Sequence, residues 1–532
     1  MVLPAGCATQ ALRSAPQRPD APWRPEVAAN GEILPGRASA HGLALPPGYV
    51  LPSNRAIRLR PAPADLQPAH RYALAELIDI AQSSNPVTRR AWNAARDAAL
   101  AVGIARATYL PQLTVSVVGG YNETQDGGGL PGISGGGAAG QAANGVLRTA
   151  GGLAPRGSQA TGSGEVQALG LEWLLFDFGK RDAIVDATRQ DQVASNVLFT
   201  GAHQKLIYDV ALAFYTHAAA DARLVLVRQA LDNAKQVEAA AEARLRQGQG
   251  TVVDTSQARQ ATAQAALRLV QAEGGAETAY LDLLTAMGIS PATHLQTQDP
   301  AGRALELSDI RLSDDMVQRA VARRPDVLAA YAAAKASRSR VAAARAEFLP
   351  KIFVTGNVAY ATGALALSSV PGVGGNAPPT LNLSTNHFSS LILGGIAVPI
   401  FDGGMRAAAL KQAGDRADSA DATLRQTLDE AARQVVVAQN GLRTALHAYD
   451  AAGRLRDAAQ TSFDASLAAY RSGVGAVTPA IMAQSGLLDA RLGRSDAYYG
   501  ALIAAAGLAF ATGALGDAPG RATASAMEAD GP

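Results

Sequence analysis

The sequence predicts a mixed α and β membrane protein built from two copies of one unit, each with two strands and very long helices. Three observations carry this prediction: motifs that recur at matched spacings, four segments of alternating polarity, and helical stretches without proline. The chain has 532 residues, of which 5% are aromatic and 17% are charged. Such a composition favours long helices packed through small side chains over a thick globular core.

Short motifs recur in the two halves of the chain. Pro86 and Pro111 frame an alanine-rich helical stretch, and Pro325 and Pro350 frame another at the same spacing of 25 residues. Because internal repeats define the architecture of a chain, this match is the first indication of two copies of one unit.

A second set of matches has its own constant offset. The motif FDFG at 176–179 matches FDGG at 401–404 at an offset of 225, and the same offset aligns LRQG at 245–248 with YRSG at 470–473. One offset held over this length indicates a duplicated chain.

The repeat divides the chain into five parts. We expect an N-terminal arm at 1–70, a first repeat at 71–290, a connector at 291–312, a second repeat at 313–515 and a disordered tail at 516–532. The arm is rich in proline and alanine and has no sustained period, which is typical of an extended linker.

Each repeat contains two segments in which apolar and polar residues alternate with a period of two, the pattern of a β-strand. Each segment has about 10 residues, enough for a tilted strand to cross an outer membrane. The residues expected to face lipid are Val115, Val117, Leu171, Trp173, Val354, Val358, Ile396 and Val398. The residues expected to face the lumen are Thr114, Ser116, Glu172, Thr355 and Asn357.

Four strands cannot close a barrel, and an open sheet edge in lipid leaves backbone groups unpaired. The strands must then be pooled between chains: two chains give eight strands around a filled interior, and three give twelve with room for a passage. The alternative is a soluble β-sandwich, whose strands alternate in the same way. The helices argue against it, because a sandwich does not extend into helices of this length.

The helical stretch at 181–246 contains no proline and has heptad-like apolar spacing. At 1.5 Å per residue it is roughly 100 Å long, a dimension that suits an object crossing a periplasm. Glycine-rich loops at 126–164 and 363–387 separate the paired strands and are expected to be exposed to solvent.

The order of these elements over about 72–513 resembles the TolC-like outer-membrane efflux proteins. The resemblance implies a homotrimer with a 12-stranded β-barrel in the outer membrane, continuous with a periplasmic α-helical barrel. It also implies a periplasmic adaptor protein and an inner-membrane pump of the ABC or RND type as partners. The expected function is a passive exit duct for efflux or type I secretion; the alternative is a periplasm-spanning scaffold that tethers membranes without conduction.

The sequence offers no catalytic constellation, so we expect no enzyme, cofactor or metal site. Known nucleotide-binding and hydrolase motifs are missing. His203 and His217 are interpreted as part of a polar helix face, and the glycine-rich stretch 127–140 as a surface loop. No basic stripe with interleaved aromatics supports nucleic-acid binding.

Cys7 ends the stretch LPAGC, which resembles the acylation site of a bacterial lipoprotein. Six residues upstream are too few for a signal peptide, and Pro4 stands where an aliphatic residue is usual. Either Cys7 is acylated in a longer chain, or it is an incidental cysteine.

Asp254 follows the turn between the two long helices of the first repeat. In the family that the chain resembles, aspartates past the corresponding turn of the second repeat line a constriction, but here that position is Pro479. Asp254 is therefore a candidate for an acidic ring in a trimer, or else a carboxylate that stabilises the start of a helix.

Overall fold

The computed structural model describes residues 69–123, 161–300, 313–363 and 387–515, two strands at 23–27 and 33–38, and positions 54, 56, 57, 66, 67 and 305. Cys7, the glycine-rich stretch 127–140 and the tail 516–532 lie outside the described residues.

The first part of the chain forms a small hairpin and then the first repeat. In chain order its elements are β1 (Trp23–Val27), β2 (Ile33–Ala38), β3 (Arg71–Tyr72), α1 (Leu74–Ser84), α2 (Pro86–Ala107), β4 (Gln112–Glu123), β5 (Thr161–Phe176), α3 (Lys180–Arg246) and α4 (Val252–Met287). The antiparallel β1–β2 hairpin lies in the arm, to which the sequence analysis assigned no secondary structure.

The second repeat copies this order. The connector contributes β6 (Gln296–Thr297), and the elements of the second repeat are α5 (Asp314–Ala322), α6 (Pro325–Ala346), β7 (Lys351–Gly363), β8 (His387–Ala397), α7 (Met405–Arg471) and α8 (Val477–Ala511). The helices α3 and α7 each have 67 residues, and α2 and α6 each have 22. The predicted duplication, with two strands and a very long helix in each copy, is confirmed.

Local sequence explains where the helices begin. Pro86 and Pro325 open α2 and α6, where a missing N–H leaves no bond unmade. Gly179 and Gly404 precede α3 and α7 with φ of 91° and 90°, a left-handed conformation that glycine adopts without strain. In the first repeat the preceding residue, Phe178, is also left-handed at φ 52°.

Hydrogen bonds join the end of the last helix of each repeat, α4 or α8, to the residue that precedes α2 or α6. The side-chain amide of Asn85 donates to the carbonyl of Ala286 at 2.9 Å, and the guanidinium of Arg324 donates to the carbonyl of Ala511 at 3.0 Å. Asn85 and Arg324 occupy the same position in the two repeats. Two different side chains thus satisfy the free carbonyls that end α4 and α8.

The long helices pack side by side. α3 contacts α2, α4, α6 and α8, and α7 contacts α6 and α8. The largest core cluster forms where α1, α3, α4 and α8 meet and includes the buried residues Leu77, Val210, Phe214, Leu283, Leu284, Met287 and Leu502. Each such burial contributes roughly 1.5–3 kcal/mol, so this cluster stabilises the middle of the bundle.

One described helix, α3, contains an 18-residue window apolar enough by composition to cross a membrane, with mean hydropathy 1.4 and 39% of the window buried. The helix has 67 residues, whereas a span needs about 20. Because α3 packs along four neighbouring long helices of the chain, we treat it as a helix of the bundle.

The four long strands form one antiparallel sheet in the order β4-β5-β7-β8. The first repeat therefore meets the second at the β5–β7 junction. Within the described residues the outer edges of β4 and β8 have no partner strand. A short parallel pair, β3 with β6, joins the start of the first repeat to the connector.

Two predicted strand boundaries need correction. Val398 was assigned to the fourth strand, but β8 ends at Ala397 because Pro399 has no N–H to donate to a ladder. β5 begins at Thr161, inside the predicted loop 126–164, so this strand is longer than its alternating segment.

A buried ion pair holds the corner between β5 and α3. The guanidinium of Arg181 contacts the carboxylate of Asp177 at 3.1 Å and donates to the carbonyls of Thr108 at 3.0 Å and Leu175 at 3.0 Å. Both charged side chains are almost fully buried. Because the remaining donors of Arg181 are satisfied by carbonyls, the pair fixes the direction in which the helix leaves the sheet.

The second repeat has a looser copy of this corner. Arg406 contacts Asp402 at 2.9 Å, but both side chains are more exposed than their counterparts. This ion pair is made by the guanidinium Nε of Arg406, whose N–H lacks the direction needed for a hydrogen bond to any described residue.

The two corners predict unequal effects of the same substitution. Arg181→Ala leaves the buried carboxylate of Asp177 without its ion-pair partner and should lower the free energy of unfolding by about 3–5 kcal/mol. Arg406→Ala, the matched control, should cost less because Asp402 is reached by water. Denaturant titration in detergent, followed by circular dichroism, measures both; equal losses would contradict the assigned difference.

Candidate functional site: the sheet faces and the hairpin tips

The register of the sheet sorts its side chains into two faces. Val115 lies opposite Leu169, Leu169 opposite Val358, and Val358 opposite Ser390. Directly opposite residues in antiparallel strands project to the same side.

We call the two sides of the sheet the first face and the second face. The first face carries Val115, Val117, Leu171, Trp173, Val354, Val358 and Ile396. The second face carries Thr114, Ser116, Glu172, Thr355 and Asn357. The residues assigned to lipid and to lumen in the sequence analysis, Val398 excepted, therefore occupy opposite faces.

The first face is an exposed apolar surface within one chain. Val115 is 74% exposed, Val117 65% and Ile396 67%. A contiguous apolar patch of this kind marks a surface that contacts lipid or protein. Toward the loop end of the sheet the same face carries the polar Glu165 and Gln167 together with the exposed aromatic rings of Tyr360 and Phe388.

The second face mixes small, polar and apolar side chains. Besides the five residues above it carries Leu391 and Leu393, which the sequence analysis did not assign to either face. Gly395 lies beneath the ring of Phe353, where a Cβ atom would stand 2.7 Å from the ring. A side chain at this position would force the Phe353 ring to shift.

At the helical end of the sheet, Trp173 is anchored by its indole. Its Nε1–H donates to the carbonyl of Tyr109 at 2.9 Å. Indole rings with an apolar body and one satisfied polar group are typical of the boundary between membrane and water.

The opposite ends of the long helices form two hairpin turns, which we call the tips: 247–251 between α3 and α4, and 472–476 between α7 and α8. Gly248 and Gly473 give each turn a left-handed residue, with φ of 72° and 85°. The sequence match between these turns thus reflects a shared backbone requirement.

Arg244 joins the two tips. Its guanidinium donates to the carbonyl of Tyr470 at 3.0 Å, to that of Gly475 at 3.4 Å and to that of Gln249 at 3.2 Å. It also lies 4.8 Å from the centre of the Tyr470 ring. One side chain of the first repeat therefore organises the turn of the second.

Tyr470 is the aromatic centre of the tip core. Its ring is 2% exposed and packs with Val237, Phe463, Leu467 and Val477. Burial raises the pKa of its phenol, while the Arg244 guanidinium acts in the opposite direction. The group therefore stays a neutral hydroxyl at physiological pH.

Asp254 is part of a capping box. Its carboxylate accepts from the N–H of Thr251 at 3.1 Å, and its own N–H donates to the Thr251 hydroxyl at 3.1 Å. This is the helix-end role that the sequence analysis weighed against an acidic ring. α8, by contrast, begins at Val477, and the preceding Ala476 offers no side-chain cap.

Large apolar side chains are exposed around the tips. Val474 is 88% exposed, Val252 70% and Met482 69%. Each tip therefore exposes at least one large apolar side chain to solvent.

The interpretation of His217 was wrong. Its side chain is buried rather than part of a polar face, with its ring 5.5 Å from that of Tyr280. The alanine-rich surroundings hid this in the sequence, because small residues carry little periodic signal. Among the described residues no cluster of three or more histidine, cysteine or acidic side chains could hold a metal ion.

A family model described as outer membrane efflux protein matches 77–289 and 316–514, one segment for each repeat. The chain belongs to the outer membrane efflux protein family. The gap between the two matched segments contains the connector. The description of that family names the outer membrane and efflux.

Individual relatives cover part of the chain. It is 30% identical over 267 residues to outer membrane protein OprJ of Pseudomonas aeruginosa, covering 50% of this chain and 52% of OprJ. It is 25% identical over 276 residues to the probable outer membrane lipoprotein SilC of Salmonella typhimurium, covering 50% of this chain and 54% of SilC. The chain thus spans about half the length of these curated relatives.

A crystal structure of a membrane protein from Pseudomonas aeruginosa matches the fold with a TM-score of 0.66 at 25% identity, covering 82% of this chain and 93% of that one. The fold described above is therefore shared with that membrane protein over most of both chains.

The Arg244 contacts predict a local effect at the tips. Arg244→Ala removes charge-assisted hydrogen bonds worth about 1.5–3 kcal/mol each and should speed amide exchange at 247–251 and 472–476 by about tenfold or more. Arg246→Ala is the control, because Arg246 is exposed two residues away. Hydrogen–deuterium exchange with mass spectrometry measures both; unchanged exchange in the Arg244 variant would contradict the assignment.

Proposed function

We propose that this efflux protein is the outer-membrane exit duct of a tripartite efflux or type I secretion system and conducts substrate passively. The observation that carries the proposal is an open four-stranded sheet with an exposed apolar face, joined through fixed corners to helices roughly 100 Å long. Such helices reach across a periplasm, while the sheet has the length and polarity of an outer-membrane wall.

A homotrimer follows from the open sheet. In lipid each unpaired edge would leave a row of N–H and C=O groups without partners. Three copies supply twelve strands, which close around a passage, whereas two supply eight and fill the interior.

The faces of the sheet fit this arrangement. The first face, with Val115 and Val117, would meet lipid, and its loop end, with Glu165 and Gln167, would reach the headgroups. The second face, with Ser116 and Asn357, would line the passage. The expected lining is small and polar at these positions, with Leu391 and Leu393 adding apolar patches.

The tips are the part of the chain that suits partner proteins. Exposed Val252, Val474 and Met482 would dock a periplasmic adaptor, which in turn recruits an inner-membrane pump of the ABC or RND type. Apolar contacts of this kind become favourable once a partner covers them. The pump, rather than the duct, would select the exported substrate.

The N-terminus would add a lipid anchor. The similarity to SilC, a probable outer membrane lipoprotein, supports acylation of Cys7. One acyl chain alone binds a membrane weakly, so it would supplement the strands rather than replace them.

In the trimer three Asp254 carboxylates would form a mild acidic ring near the tips while each still caps its helix. The ring would attract cations because fixed charges in a narrow passage focus the field. Asp254→Asn should then lower cation preference without dissociating the trimer.

Planar-bilayer recording of the purified protein tests the proposed function. A duct gives stable conductance steps, and Asp254→Asn shifts the reversal potential in a salt gradient. A tethering scaffold, the competing function, inserts without conductance steps, and that result would overturn the proposal.

Adjacent residues of β4 test the assignment of the faces. Val117→Arg places a charge toward lipid and should cost about 2–4 kcal/mol near the midplane, whereas Ser116→Arg points into the passage and should assemble. Heat-resistant oligomer on gels of outer-membrane fractions reports assembly. If both variants assemble equally well, the assignment of the faces is wrong.

A further inference from the structure

The two hairpins of the sheet have the same register. β4 corresponds to β7 at an offset of 239, and β5 to β8 at an offset of 225. Under these offsets the observed pair Val115–Leu169 becomes Val354–Gly394, which is also observed.

The agreement extends along the strands. Leu113 opposite Leu171 becomes Ile352 opposite Ile396, again as observed. The repeats therefore match residue by residue within the sheet, and a pairing seen in one predicts a pairing in the other.

The junction between the repeats occurs once in the chain. Leu171 of β5 lies opposite Gly356 of β7. The corresponding junction would follow β8 and involve the outer edge of β4, but within the described residues both of these edges are open. A second copy of the chain offers an edge that matches.

The helices that adjoin the sheet also differ between the repeats, because α2 lacks a neighbour that α6 has. α6 packs between α3 and α7, whereas α2 packs on α3 without a second long helix. Ala343 of α6 is 8% exposed, and its counterpart Ile104 of α2 is 72% exposed. The face of α2 that carries Ile104 is thus the surface that α6 uses between the repeats.

We propose that neighbouring protomers join in the register of the internal β5–β7 junction. Ile396 then lies opposite Val117 of the neighbouring protomer, and Val398 lies opposite Val115. This inference rests on the proposed trimer. It adds which residues meet at each seam, the junction between β8 of one protomer and β4 of its neighbour.

The side chains at this seam are compatible in size and charge. On the first face, Ile396 and Val117 are 67% and 65% exposed in the single chain, and both gain an apolar neighbour. On the second face, Ala397 lies opposite Ser116. No charged residue lies at these positions, and Pro399, which has no N–H, falls where the pairing ends.

The proposed register also brings Val398 into the wall of the assembled protein. Its counterpart Trp173 lies in β5, opposite Val354 of β7. In the single chain β8 ends one residue earlier, at Ala397, and Val398 lies between that end and Pro399.

Disulfide trapping in outer membranes tests the register, in a Cys7→Ser background so that no native thiol competes. Directly opposite residues place their Cα atoms about 4.5–5.5 Å apart, within the range of a disulfide, and a shift of two residues exceeds it. The variant pair Ile396→Cys with Val117→Cys should give covalent dimers and trimers on non-reducing gels.

Three further pairs sharpen this experiment. Leu171→Cys with Gly356→Cys is the internal counterpart and should form a disulfide without a change in mass. Ala397→Cys with Ser116→Cys probes the other face and should also cross-link between chains. Ile396→Cys with Val115→Cys is shifted by two residues and should cross-link at least about tenfold less, because its atoms are too far apart.

The outcomes separate the seam from the function. Stronger cross-linking of the shifted pair overturns the proposed register. If that variant still conducts, the proposed function stands although the proposed register is wrong. Failure of every inter-chain pair, with the internal pair trapped, overturns the seam itself. Cross-links in the proposed register without conductance would support the seam and overturn the duct.

Discussion

The organisation of this protein depends on one constraint, that backbone N–H and C=O groups cannot be left unpaired in lipid. The chain supplies four strands and ends the sheet with an open edge on each side within the described residues. Neither edge is shielded by a described helix or bent away by a bulge. In the proposed duct, assembly is therefore a requirement of the membrane-facing part rather than an addition to a finished fold.

The helices solve a different problem, that of distance. Two 67-residue helices cannot be stabilised by a thick core, so they rely on alanine-rich contacts along their whole length. The direction of each helix is fixed where it leaves the sheet. Arg181 and Asp177 do this in the first repeat with full burial, and Arg406 and Asp402 do it in the second with more access to water.

Much of this architecture could be predicted from the sequence, because it repeats and because strand and helix periods differ. The alternation around Val115 and around Val354 predicted which neighbours share a face within each strand, because that property depends only on spacing, and the register then places both residues on one face of the sheet. The length of α3 followed from the absence of proline. The start of α2 and α6 followed from Pro86 and Pro325.

The remainder depends on contacts between residues far apart in the chain. Arg244 reaches Tyr470 across 226 positions, and nothing in either local pattern indicates that contact. The burial of His217 was missed because its alanine-rich surroundings carry little periodic signal, and the β1–β2 hairpin because its strands lack regular alternation. The end of β8 was misplaced because alternation continues through Val398, although Pro399 stops the ladder.

The central claim, that the sheet closes only between copies, is tested most directly by the mass of the particle in mild detergent. Light scattering corrected for bound detergent should give three times the protomer mass of 54.5 kDa, with the strand signal intact by circular dichroism. A stable monomer that keeps its full strand signal would contradict the account.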